Sequence, residues 1–594
     1  MKKPPKIFYR VGAKELHAHL FQIDIFVAEP KANQVLALPT WIPGSYLIRE
    51  FSKNLQKLKA YQEDRAVVLS QIDKSTWQVT CDENQGLYLS YEVYALDNSV
   101  RTAWLDANRG FFNGTSLFLQ VLGQEDTPQA LELVQCIGME AWSVATGLTA
   151  VSTNTKGFGA YIADNYDELV DCPVEMGDFW RGSFTSCGIP HEFVVYGASS
   201  GFDGNKLLTD TSKICETALR FWHPRPSNLI NTAPHKKYVF MLNAVDSGYG
   251  GLEHRNSTAL ICNRKDLPQL TNVNGLTQDF KEGYTTLLGL ISHEYFHTWN
   301  VKKLRPSNFK KYDYSRENYT ELLWFFEGFT SYFDDLLLYR SGLIDETSYL
   351  KLLNKTISQV LQTPGRLVQS VAQSSNDAWI KYYRQDENTP NSTVSYYTKG
   401  ALVGLCLDLT LRQEGKINLD DVMRSLWTKS NGGPMTERDL SQVLMDLTGR
   451  SYAKEIKRWV HSTAELPVEE LLNKQGVSVL HEPAQLMQRL GLRVKEDQGI
   501  RVTNVFSSGA AELAGFAPGD EWLGVEVGQG KAKAVWRLSK LNDFVIFVGL
   551  STRVTAWVSR DKRILSLQLK IPKHIDTIRL EQRDLRTVKR WLEG

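Results

Sequence analysis

Neither sign of charge prevails in this sequence. Its 594 residues hold 68 Lys plus Arg against 67 Asp plus Glu, a net charge of +1. The basic excess of a nucleic-acid binder is missing, so no polyanion is expected as a partner. Long apolar runs are missing as well: no stretch is long enough to cross a bilayer, and none is expected to meet a membrane. The N-terminal MKKPPKIFYRVGAKELHAHLF has basic residues but neither the apolar core nor the small-residue cleavage site of a secretion signal. Cysteine is sparse. The seven (Cys81, Cys136, Cys172, Cys187, Cys215, Cys262, Cys406) are scattered, odd in number and without CxxC spacing, which argues against a disulfide scaffold or a cysteine-ligated metal. They read as reduced thiols of a cytoplasmic protein. Internal repeats and low-complexity linkers are also absent.

What is present is an ordinary globular composition, 42% hydrophobic and 23% charged, in a chain too long for one hydrophobic core. Residues 1–168 alternate apolar and polar residues with period two (HAHLFQIDIFVAE, STWQVTC, LYLSYEVYAL), which predicts a β-sandwich-like domain. A second domain is expected over 169–480. In it HEFVVYG and KKYVFMLNAV read as buried strands, and the stretch of about 278–465 reads as helical, with Gly342 as a helix stop. QVLQTPGRLVQSVAQSSNDAW is expected to be a loop. Residues 481–575 return to short β patterns around a small helix, and 576–594 read as a charged amphipathic helix.

The chemistry concentrates in HEYFH at 293–297. Positions i and i+4 of a helix lie on one face, so His293 and His297 can converge on one metal ion. Glu294 between them is placed to act on a metal-bound water and not to ligate. The flanks, TLLGLISHEYFHTWN, are strongly apolar, and a Glu and two histidines buried there are costly unless a cation pairs with them. A catalytic zinc needs a third protein ligand and an open position. Glu327 in WFFEGFTSYF offers one, amid Trp324, Phe325, Phe326 and Phe329. Glu321 is a competing carboxylate, although acidic residues are favoured at a helix start for electrostatic reasons alone. Thr330, Ser331 and Asp334 are candidates to support the imidazoles.

HEYFHTWN followed by LLWFFEGFTSYF resembles the gluzincin peptidases, whose third zinc ligand is the Glu of the second helix. GYGGLEH (248–254) is similar to the GxMEN segment of the aminopeptidase-N family, and SYYTKGALV (395–403) to its YxKG segment. With PTWIPGSYLIREF and RGFFNGTSLF in the first domain, the chain most resembles the glycyl aminopeptidase family. The resemblance implies a multidomain α+β protein: a β-sandwich-like domain, a thermolysin-like catalytic domain (a mixed sheet plus a helical half) and a C-terminal PDZ-like domain. It implies one zinc ion per chain held by His293, His297 and Glu327, with Glu294 as general base and Tyr397 as oxyanion donor. The neighbouring Tyr396 is separated from Tyr397 only by the motif register. Glu253, with Gly250 and Gly251, would bind peptide substrates that have a free N-terminus and a small first residue, Gly or Ala. GGLEH in place of GxMEN and Phe326 before the ligand Glu depart from aminopeptidase N and put its specificity in doubt here.

In the C-terminal region, LGLRV (490–494) and SSGAAELAGFAPGDEWLGVEV resemble a bacterial PDZ domain, whose groove binds a C-terminal peptide by strand addition. A packing module with no ligand is the equal alternative. Two other functional classes remain: a zinc endopeptidase or oligopeptidase, and a PDZ-type scaffold with a vestigial metal site.

Overall fold

The computed structural model describes residues 5–594 apart from 226–228, 271–277, 416 and 574. The chain is a multidomain α+β protein, β-rich in its N-terminal part and helical in much of its C-terminal half. It divides into two compact units. The first comprises Met1–Tyr319, Phe333–Ile344 and Met423–Thr436; the second comprises Thr320–Tyr332, Asp345–Val422 and Glu437–Gly594.

In the first unit, the period-two pattern forms an eight-stranded sheet and two four-stranded ones. Strands Ile7–Glu15 and Leu20–Val27 pair antiparallel, with Ile7 opposite Val27 and Tyr9 opposite Ile25. Their alternate residues Tyr9, Val11, Ile23 and Ile25 point into one core. That core also holds an irregular backbone segment, residues 117–119, whose carbonyls would be costly to bury unbonded. Three buried tyrosines satisfy them: Tyr91 donates to Leu117 O (2.8 Å), Tyr166 to Phe118 O (2.7 Å) and Tyr9 to Leu119 O (2.9 Å). The β region extends past the expected boundary at 168. Strand Val174–Gly177 pairs with both Arg109–Phe112 and Ser143–Thr146. It is buried on both faces, so its sequence carries no alternation to read.

The same unit then builds a five-stranded mixed sheet from Trp180–Ser186 (β1), Ile189–Tyr196 (β2), Tyr238–Val245 (β3), Gly250–Glu253 (β4) and Ser257–Asn263 (β5). Its order is β1-β2-β3-β5-β4. Strand β2 is parallel to β3 and β3 to β5, whereas β4 turns back antiparallel on β5 and forms the sheet's edge. Helix α1 (Gly204–Trp222) joins β2 to β3, and helix α2 (Gln278–Phe296) follows the sheet. Helix α3 (Leu323–Arg340) begins in the second unit and ends in the first. Gly342 adopts φ +71°, and the N–H groups of Gly342 and Leu343 turn back to Tyr339 O and Leu338 O, which closes α3 as its sequence predicts.

The second unit holds helix α4 (Thr398–Gln413), further helices, and a C-terminal β module. The expected loop after Leu361 is largely helical. Val371–Asn376 is a helix started by a reciprocal Ser370–Gln373 capping box, so its polar residues cap instead of looping. The C-terminal module is a five-strand path from Leu492–Glu496 to Arg563–Lys570, with Ala534–Arg537 added to it, around Trp522, Val525, Phe544 and Ala556. Only the end of the expected terminal helix is helical. Asp576–Gln582 is a strand paired with Val477–Pro483, and the helix is Leu585–Glu593. The segment DTIRLEQ suits either period, and the pairing partner decides it. No helix among the described residues is long and apolar enough to cross a membrane.

Candidate active site and metal centre

The HEYFH residues occupy the C-terminal end of α2. His297 lies one residue past the last helical position, with its N–H still bonded to His293 O (3.2 Å). Its Nδ1 is 2.6 Å from the Asn300 carbonyl, which can only accept. Nδ1 therefore carries the proton and Nε2 a lone pair. His293 Nδ1 donates to the Asp334 carboxylate on α3 (2.9 Å), which fixes the same tautomer. The two Nε2 atoms then face each other at 3.0 Å. Two lone pairs so close repel one another unless a cation accepts both. A tetrahedral zinc with Zn–N distances of about 2.0–2.1 Å separates its nitrogen ligands by roughly 3.3 Å. The donor types, their tautomers and their spacing fit such an ion.

Two carboxylates lie beside the imidazoles. Glu253, Glu294 and His297 each offer a donor atom within 4.8 Å of the others, and all three are buried. Strand β4 runs close under Glu294: a Cβ on Gly251 would stand 2.1 Å from Glu294 Oε1. Likewise a Cβ on Gly44, at φ +88°, would meet both Glu253 oxygens at 2.6 Å. Gly251 and Gly44 thus leave open the space that the two acids fill. Glu253 is 5% exposed, and among the described residues it makes no ion pair or hydrogen bond. A carboxylate buried to that degree is costly unless a cation arrives to pair with it.

The second unit brings Glu327 and Tyr397 together through two glycines. A Cβ on Gly328 would lie 2.5 Å from Gly400 Cα, and one on Gly400 would lie 2.5 Å from Trp324 O. Helices α3 and α4 therefore meet at backbone contact distance, which only glycine permits. Glu327 is 2% exposed among Trp324, Phe325, Phe326 and Phe329, all buried. Burial first, and then the Glu327 carboxylate, hold the Tyr397 phenol well above its ordinary pKa, so it keeps its proton as a donor. Tyr396 and Tyr397 stack with centroids 4.7 Å apart, under Tyr382. Tyr396 is fully buried, whereas Tyr397 keeps part of its surface exposed. On α3, Glu327 and Asp334 are seven residues apart, which places them on one helix face about 10 Å apart along the axis.

The other face of α2 is locked to the sheet. His191 Nδ1 bonds Ile189 O (2.9 Å), so its Nε2 accepts from Tyr295 O–H (2.9 Å), and Tyr295 in turn accepts from His235 Nε2 (3.2 Å). Burial lowers the His191 pKa to about 4 and pushes His235 well below its ordinary value, so both rings are neutral. Beyond the helix, Lys302 donates to Asp171 (2.8 Å), which also receives His254 and Arg255 at 3.2 Å. Burial alone would raise the Asp171 pKa, but the Lys302 and Arg255 cations and the His254 hydrogen bond overcome it and hold the carboxyl well below the usual range. This network fixes the residues that follow Glu253 and His297.

Of the three candidates to support the imidazoles, Asp334 bonds His293, and the Thr330 hydroxyl turns to its own helix at Phe326 O. The Asn300 carbonyl, Tyr382 and the Asp171 network were not legible, since each acts through a backbone atom or a partner distant in sequence.

The "M61 glycyl aminopeptidase" family model matches residues 286–403, and the "Peptidase M61 N-terminal domain" model matches residues 8–178. A crystal structure of an aminopeptidase N family protein from Idiomarina loihiensis is 37% identical, with a TM-score of 0.91, over 99% of this chain and 100% of that one. An M1 zinc metallopeptidase from Deinococcus radiodurans, solved with a Tyr-Ser-Ala substrate, is a distant likeness: 13% identity and a TM-score of 0.48 over 78% of this chain and 94% of that one. A comparison with functionally curated proteins finds no match. With the family models lying on both the β-rich domain and the HEYFH helix, and a relative matching end to end, this chain is a peptidase and belongs to the M61 glycyl aminopeptidase family.

Proposed function

We propose that the protein is a zinc-dependent aminopeptidase that hydrolyses the first peptide bond of peptides with a free N-terminus and a small first residue, Gly or Ala. The observation that carries this reading is Glu253, a buried carboxylate that makes no ion pair among the described residues, set beside Glu294 and His297. A substrate α-ammonium supplies the missing charge, and anchoring it there limits the cut to the first residue. His293, His297 and Glu327 would hold one zinc ion. The chemistry such an ion supplies is Lewis-acid polarisation of the scissile carbonyl and easier deprotonation of water. Glu294 takes the proton of the attacking water and returns it to the leaving amine. The Tyr397 hydroxyl donates to the oxygen that gains charge. Gly250 and Gly251, on the sheet's edge strand, offer backbone groups to the peptide.

The test combines metal analysis with paired peptides. One zinc per chain, hydrolysis of Gly- or Ala-led peptides, and none of their N-acetylated forms are expected. Cleavage that survives acetylation overturns the aminopeptidase assignment and leaves an endopeptidase. Glu294→Gln is expected to retain zinc and lose most turnover.

We also propose that the C-terminal module is PDZ-like, with strand Leu492–Glu496 at a sheet edge and helix Leu541–Val548 after strand Ala534–Arg537. Packing is the better-supported role. Gly491 N–H already bonds Met487 O (2.9 Å), and Asn391 bonds Val505 O and Ser507 N–H at 2.9 Å. The seven free thiols support a cytoplasmic location.

A further inference from the structure

Arg101 stands at the edge of the five-stranded sheet. It sits on the loop after strand Leu87–Tyr94, and among the described residues it makes no ion pair; its Nε is buried without a hydrogen-bond partner. Its guanidinium reaches the edge strand β4, where Nη2 is 3.3 Å from Gly251 O. Nη1 and Nη2 lie 3.8 and 3.9 Å from where a Cβ on Gly250 would stand.

The loop behind it is fixed in place. Arg101 N–H bonds Ser99 Oγ (3.2 Å), and the buried Asn113 amide bonds the carbonyls of Val100 (2.8 Å) and Thr102 (3.2 Å). Asn98 Oδ1 accepts from Asn243 (2.7 Å) and from Arg109 (3.1 Å). Arg109 is itself held by a buried two-point pair with Glu175 at 2.7 and 2.8 Å. The Arg and Asn of RGFFNGTSLF thus serve to present a positive charge at the edge of β4. A guanidinium held this way is preorganised for a planar anion such as a carboxylate.

The direction of a bound peptide follows from the site. With its amine at Glu253 and its scissile carbonyl at Glu294, which overlies Gly251, the peptide must run from Glu253 back toward Gly250. That is antiparallel addition to β4. One residue beyond the carbonyl at Gly251, a strand rise of about 3.4 Å, the second residue of the peptide arrives beside Gly250 and Arg101. In a dipeptide, that residue bears the terminal carboxylate.

We infer that Arg101 forms a carboxylate subsite that selects dipeptides over longer or C-terminally blocked peptides. The inference rests on the aminopeptidase reading above and adds a length preference to it. Hydrogen bonds between charged groups of this kind correspond to roughly 10- to 100-fold in affinity. The holoenzyme is therefore expected to show a kcat/KM for Gly-Ala about tenfold or more above that for Gly-Ala-amide. Arg101→Gln should bring this ratio close to one, whatever it does to the amide rate. Arg101→Lys, which keeps the charge and loses the fork, should fall between. A wild-type ratio near one overturns the inference and needs no variant. So does a high ratio that Arg101→Gln leaves intact. Failure of the wild-type enzyme to cleave either substrate overturns the aminopeptidase reading, and the inference with it.

Discussion

The two regions that carry the proposed catalytic residues are built by different means. Around α2, position is set by hydrogen bonds: each imidazole is oriented through Nδ1, by Asp334 and by the Asn300 carbonyl, and Tyr295 ties the far face to His191 and His235. Around Glu327 and Tyr397, position is set by backbone contact, where Gly328 and Gly400 let α3 and α4 meet without side chains between them. The hydrogen-bonded region tolerates a change of one partner and loses tuning. The close-packed region has no slack, because a methyl group there meets backbone and not the end of a flexible chain.

This contrast sets the size of the expected effects. Gly400→Ala or Gly328→Ala should be the most damaging, lowering stability by about 3 kcal/mol and abolishing zinc retention, as read by thermal melts and metal analysis. A protein that melts normally and keeps its zinc would show that the glycine contact is dispensable. Tyr397→Phe should leave stability nearly unchanged and reduce kcat about 100-fold, with Tyr396→Phe losing clearly less. Equal losses in the two would put the register of the pair in question. Asp334→Asn keeps a side chain of the same shape and should weaken zinc binding by about 10- to 100-fold in chelator competition, with little change in melting temperature. The smallest effect belongs to His191. Its folded pKa of about 4 lies below the ordinary 6.5, so the unfolded chain binds the extra proton first and stability declines as pH falls from 6.5 toward 4. The loss should be about 1 kcal/mol by pH 5.5. His191→Gln should flatten that part of a stability-versus-pH curve.

Local spacing and burial cost made the core of the site legible. HEYFH shows its one-turn spacing directly, and Glu327 stands out because a carboxylate among aromatic residues has to be paired. The strands in HAHLFQIDIFVAE, STWQVTC and LYLSYEVYAL are readable because they alternate between a buried and a more exposed face. Val174–Gly177 is not, because it is buried on both. Asp576–Gln582 reads as helix because its partner, Val477–Pro483, lies about a hundred residues earlier. The glycines of the EG and KG pairs could be matched as letters, but their purpose lies in an approach of two backbones that no single segment encodes. Arg101 gave no signal at all, since its meaning depends on Gly251, 150 residues away.

Gly44 has a consequence for the whole architecture. The turn that carries it belongs to the N-terminal β-rich domain, yet it packs against the carboxylate of Glu253, which is 5% exposed. Charge recognition is strong only where solvent is excluded, so on the aminopeptidase reading proposed above this domain is a wall of the amine pocket and not merely a neighbour of it. Exchanging it between relatives should alter how tightly the amine is gripped, even with every catalytic residue unchanged.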